Sequence, residues 1–147
     1  MFLLIVAAAS QGVTLPPPSR QDRIAALNLL VEQSENQRDW SENDRLVAQG
    51  VAKTAGGEWA SCLQQSEDRL RRSSEAVETV ATAIMGSCLM EEHVYQRALA
   101  ASFRGLADPM QRTAQAEKLV GDLRTSRREE IISHLVNDRL NPPKPKK

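Results

Sequence analysis

The sequence predicts an all-α protein: a small helical bundle built on a long antiparallel helical hairpin that one disulfide clips together. Three observations carry that prediction. Apolar residues recur at helical spacing from Ser19 onward, no alternating β-branched run is long enough for a strand, and serine, aspartate and proline stand where helices would begin. Of the 147 residues, 41% are hydrophobic but only 3% are aromatic, so a core has to be assembled mainly from Ala, Leu, Val and Ile. A chain of this length holds one domain, which the punctuation places at residues 20–140.

Ser19-Arg20-Gln21-Asp22 starts the first helix, a serine N-cap with an acid three residues on. Ile24, Leu27, Leu30 and Val31 follow at helical spacing, and the helix fades in the polar stretch Gln33 to Asp39. Ser41-Glu42-Asn43-Asp44 is a second start, but Gly50 and Gly56-Gly57 predict a short helix carrying Leu46 and Val47 and a loose connection after it. A third helix is expected from about Glu58 to Arg72, with Trp59, Cys62, Leu63, Ser66 and Leu70 on one face. Ser73-Ser74-Glu75 breaks it, with Ser74 as the N-cap of the next.

The fourth helix has the clearest pattern. Val77, Val80, Ala81, Ile84, Cys88, Tyr95, Leu99 and Phe103 mostly step by three, four or seven, which predicts one long helix that stops near Gly105. Asp108-Pro109-Met110-Gln111 begins the last segment, with an acid at the N-cap and proline at the first helical position. Its stripe of Ala116, Leu119, Val120 and Leu123 is rotated about the axis from a second stripe of Ile131, Ile132, Leu135 and Val136. Either the helix breaks near Thr125-Ser126, where Ser126-Arg127-Arg128-Glu129 has capping-box form, or its halves face different neighbours.

Both ends read differently from the body. Residues 1–10 contain the apolar run Phe2 to Ala9 ending in small residues, which resembles the core and cleavage site of an export signal, although no basic residue precedes Arg20. The run is far shorter than the ~20 residues a membrane-spanning helix needs. Residues 11–19, with three consecutive prolines, form an extended linker, and residues 141–147 (NPPKPKK) a disordered tail. Basic and acidic residues balance at 19 each, which argues against a nucleic-acid binder, since phosphate neutralisation requires a concentrated basic surplus. Arg69, Arg71 and Arg72, and likewise Arg124, Arg127 and Arg128, fall near predicted helix C-termini, where they complement the helix dipole.

Cys62 and Cys88 are the only cysteines, and their midpoint is residue 75, inside the predicted turn. In a hairpin folded there the two lie at the same height on facing apolar stripes, so a Cys62–Cys88 disulfide is expected. Closing a loop of that size stabilises a fold by about 3 kcal/mol in the chain-entropy model. The close Cys-x-x-Cys spacing of dithiol oxidoreductases is absent.

No catalytic signature, phosphate loop or cofactor motif is present. Glu130, His134 and Asp138, spaced four and four, would line one helix face as a carboxylate, an imidazole and a carboxylate. They are weak metal candidates, because a solvated helix face has the same pattern and a closed site needs further ligands. Glu91, Glu92 and His93 are weaker still, since consecutive helical residues point in different directions. The expectation is an exported, non-enzymatic binding or accessory module of the bacterial envelope, periplasmic, whose partner is a protein or an envelope component. A metal-binding periplasmic protein and a cytosolic interaction protein with reduced cysteines are the alternatives.

Overall fold

The computed structural model describes residues 16–37, 40–103 and 108–141. They form five helices and no strand: α1 (Arg20–Asn36), α2 (Glu42–Leu70), α3 (Val77–Gly86), α4 (Leu89–Ser102) and α5 (Pro109–Leu140). The signal-like residues 1–10, most of the linker, Gly105 and the tail after Asn141 lie outside the described residues.

Helix starts are set by local chemistry. At α1 the Ser19 hydroxyl accepts from the Asp22 N–H while the Asp22 carboxylate accepts from the Ser19 N–H; Ser41 and Asp44 repeat the arrangement at α2. At α5 the Asp108 carboxylate accepts from the Met110 N–H, with Pro109 in the first turn. Helix α3 departs from expectation: Ala76, not Ser74, occupies the N-cap, and no side chain caps it.

The largest correction concerns α2. One helix of 29 residues runs through Gly50, Gly56 and Gly57, where the glycines predicted a short helix, a loose connection and a separate third helix. Each glycine costs an isolated helix about 1 kcal/mol, but burial of Ala48, Val51, Ala52, Ala55, Trp59, Cys62 and Leu63 along one face outweighs it. Leu46 and Val47, which the short helix was expected to carry, are exposed. Gly56 is used for close packing, since a Cβ there would lie 3.0 Å from Tyr95 Cε2.

The continuous helix expected from Val77 to Phe103 is broken. Ser87 and Cys88 separate α3 from α4, and Cys88 at the α4 N-cap has φ −117° and ψ 18°. The Ser87 hydroxyl lies 2.8 Å from the Ile84 carbonyl, and the Ser87 carbonyl accepts from Arg20, so side chains take backbone groups that a continuous helix would use. Of the two alternatives for the last segment, the structure has a single α5 of 32 residues, whose halves pack chiefly on α4 and on α3. Ala116 and Val120 are buried in its first half and Ile131 and Leu135 in its second, while Leu119, Leu123 and Val136 of the expected stripes are exposed.

Two apolar clusters form the core. Trp59, Cys62, Leu63, Val80, Ile84, Met85, Ile131 and Leu135 belong to one, and Ile24, Leu27, Val31, Val51, Ala52, Ala55, Val94 and Ala98 to the other. Tyr95 packs against both, with its ring centroid 5.8 Å from that of Trp59. Contacts of Gly56 with Tyr95 and of Cys62 with Cys88 show rising positions on α2 meeting falling positions on α4 and its N-cap.

Two predictions follow from this packing. Gly57→Ala, with open space around its Cβ, stabilises the protein by roughly 0.5–1 kcal/mol in urea denaturation, whereas Gly56→Leu costs about 1–3 kcal/mol by displacing the Tyr95 ring. The second concerns acid. The Ser19 and Ser41 hydroxyls, and then their backbone N–H groups, hold the Asp22 and Asp44 carboxyls below the ordinary value of 3.8. A carboxyl depressed in the folded state stabilises fully above its unfolded value and loses that contribution as pH falls through the lower folded one. The double variant Asp22→Asn, Asp44→Asn therefore loses less of its thermal midpoint on acidification below 3.8 than the parent does.

Candidate functional site

Two places concentrate polar chemistry. The first lies between α2 and α5, a groove of about 540 Å³ with Glu67, Asp68, Arg71, Arg127, Glu130 and His134 among its lining residues. Of the predicted row, Glu130 and His134 line it and Asp138 meets its Arg71, so each member already has a partner. Glu130 pairs with Arg127 at 2.7 Å, His134 Nδ1 lies 3.1 Å from Glu67 Oε1, and Asp138 Oδ2 lies 2.9 Å from Arg71 Nη2. That last contact is an ion pair whose angles do not align a hydrogen bond. Among the described residues no group of three or more His, Cys, Asp or Glu side chains could hold a metal ion. His134 and Asp138 join α5 to α2, whereas Glu130 pairs within α5. No serine, threonine or cysteine lines the groove, so the His134–Glu67 pair has no hydroxyl or thiol beside it.

The second place is the α3–α4 junction. Cys62 and Cys88 are joined as a disulfide there, with Cα atoms 5.9 Å apart. Arg20 reaches it from the first turn of α1. Its Nε and Nη2 hold the Glu91 carboxylate as a fork, with Nη2 2.7 Å from Oε2; the same Nη2 lies 3.0 Å from the Ser87 carbonyl and 3.1 Å from Cys62 Sγ. Glu91 raises the Arg20 pKa, chiefly through this hydrogen bonding and against the cost of burial. The Glu91 side chain is only 2% exposed, so the pair is buried from the acidic side and open from the basic one, where Arg20 is 44% exposed. Beside it, Ser19, Ile24, Ala25, Asn28 and Met90 line an open, largely apolar groove of about 690 Å³ between α1 and α4.

The acids Glu91 and Glu92 are what the sequence reading missed. Consecutive helical residues do point in different directions, and here that property serves two neighbours. Glu91 is directed at α1, while Glu92, with an 11% exposed side chain, pairs with Arg124 of α5 at 2.7 Å. The available signal was two adjacent carboxylates inside a helix that is otherwise closely packed. Arg124, Arg127 and Arg128 do not flank a helix C-terminus as expected, because α5 runs on to Leu140. Glu92 Oε2 and Trp59 Nε1 are buried without a hydrogen-bond partner among the described residues.

Removing Arg20 would leave the buried Glu91 carboxylate without its counter-charge. Arg20→Ala is therefore expected to cost roughly 3 kcal/mol in urea denaturation, whereas Arg127→Ala, whose ion pair with Glu130 is half exposed, changes stability by about 0.5 kcal/mol or less.

In comparisons with known proteins, no family model, no curated protein and no solved structure matches the chain.

Proposed function

We propose that the protein is an exported, non-enzymatic helical module that binds a protein or an envelope component in the bacterial cell envelope. The observation that carries this reading is the Cys62–Cys88 disulfide, because such bonds persist in oxidising compartments and are rare in the cytosol. The apolar run Phe2 to Ala9 with its small-residue end supports it from the sequence. A binding role is supported by the apolar groove between α1 and α4, where Met90 is 61% exposed beside Ile24 and Ala25. The charged groove between α2 and α5 contains converging polar groups, but its Glu67, Arg71, Arg127, Glu130 and His134 are paired with residues of the same two helices. Among the described residues no helix is long and apolar enough to cross a membrane.

Intact mass of the protein recovered from its native cell, before and after reduction and alkylation, tests the reading. The expected result is loss of about ten N-terminal residues and two thiols that label only after reduction. A full-length chain with two free thiols would overturn it and favour a cytosolic interaction protein.

A further inference from the structure

We propose that the Cys62–Cys88 disulfide is an exchange site for an external dithiol, attacked at Cys62 with Cys88 as the leaving sulfur. The exported reading supplies only the compartment in which such a dithiol is met.

The surroundings of the bond are two-sided. Trp59, Leu63, Ile84 and Met85 share its apolar cluster, as around an inert structural bridge. Its other flank is polar and positively charged. Arg20 Nη2 lies 3.1 Å from Cys62 Sγ; the Ser66 and Ser87 hydroxyls lie 3.7 and 3.6 Å from Cys88 Sγ; and Arg69 Nη2 donates to Ser66 Oγ at 3.3 Å. Cys88 is also the N-cap of α4, and its side chain makes no capping hydrogen bond there. The guanidinium beside Cys62, and the Ser66 hydroxyl and the α4 N-terminus beside Cys88, each stabilise a thiolate, the Ser87 proton being taken by other oxygens. A disulfide is cleaved faster as its leaving thiol becomes more acidic. Of the two residues Cys62 is the one nearer solvent, at 5% exposed against a wholly buried Cys88, which makes it the side from which an external thiolate approaches. Glu91 fixes the guanidinium in place, and the two hydrogens on Arg20 Nη2 serve three acceptors, of which Cys62 Sγ is one.

The step balances as follows for a dithiol reductant. One thiolate of the dithiol bonds to Cys62 Sγ as the Sγ–Sγ bond breaks, and that electron pair leaves on Cys88 Sγ at the α4 N-cap. The second thiol of the dithiol, having lost its proton to solvent, then attacks its own sulfur in the mixed disulfide. Cys62 departs as a thiolate beside Arg20, the dithiol ends as a disulfide, and two electrons have passed to the protein. Reduction releases α2 from the junction between α3 and α4.

Dithiothreitol applied to the purified, oxidised full chain without denaturant is the test, with free thiols counted by alkylation and mass, and helix content followed by circular dichroism. Reduction is expected while the helices persist. Arg20→Gln should slow it by about tenfold, whereas Arg23→Gln, which frees α1 from Glu58 without touching either sulfur, should not slow it. Because Arg20→Gln also weakens the fold, single-thiol variants give a second measure: Cys88→Ser should form a mixed disulfide with oxidised glutathione faster than Cys62→Ser. Reduction only at urea concentrations that unfold the chain, an Arg20→Gln rate equal to or above the parent's, or faster reaction of Cys88 than of Cys62 would each overturn the proposal. A full-length cytosolic chain would overturn the exported reading and leave these rates unchanged.

Discussion

The unbroken course of α2 is the constraint on which the rest of the structure depends. It is the helix with buried members in both apolar clusters, contributing Val51, Ala52 and Ala55 to one and Trp59, Cys62 and Leu63 to the other. A helix interrupted at Gly56 would present two short segments with independent axes, and the two clusters would have no common wall. Small residues on this face let α4 approach closely, and the Tyr95 ring occupies the space that a side chain at position 56 would fill. A protein so poor in aromatic residues gains its burial from this kind of backbone proximity, with the Trp59–Tyr95 pair as the chief ring contact.

Charge organises what the apolar faces leave undetermined. Helix α1 buries only Ile24, Leu27, Val31 and Ser34, and its seat is further defined by three arginine–carboxylate pairs: Arg20 with Glu91, Arg23 with Glu58 and Arg97 with Glu35. The Arg97 pKa is raised chiefly by its hydrogen bonding to Glu35. Helix α4 acts as the acidic hub, since Glu91 and Glu92 differ by ~100° around its axis and address α1 and α5 respectively. Buried ion pairs of this sort add little net stability against an apolar alternative, but breaking one is costly, so they discriminate against wrong arrangements of the same helices.

The disulfide joins these two themes. It anchors α2 at the point where the second half of the chain leaves helical geometry, and Arg20 brings α1 to the same point. A covalent bond, a buried carboxylate and a broken helix therefore share one guanidinium. The disulfide and the apolar groove between α1 and α4 are neighbours, because Arg20 and Glu91 also line that groove.

Sequence alone determined what depends on residues near one another in the chain. The all-α class, the capping boxes at Ser19 and Ser41, the proline start at Asp108 and the break between Leu70 and Val77 all follow from local hydrogen bonding and backbone preference. The cysteine pairing was also readable, because two cysteines at equal distance from a turn face each other in most ways of folding there. Only the tertiary structure decided the rest. Whether Gly56-Gly57 ends a helix turns on burial by distant partners, and whether Ser87 and Cys88 interrupt one turns on Arg20, 67 residues away in sequence from Ser87. The row Glu130, His134 and Asp138 has the same spacing whether it faces water, a metal or another helix. Neighbours on α2 made His134 and Asp138 part of a helix-to-helix contact while Glu130 pairs within α5, and spacing along one helix carries no information about a neighbour contributed by another.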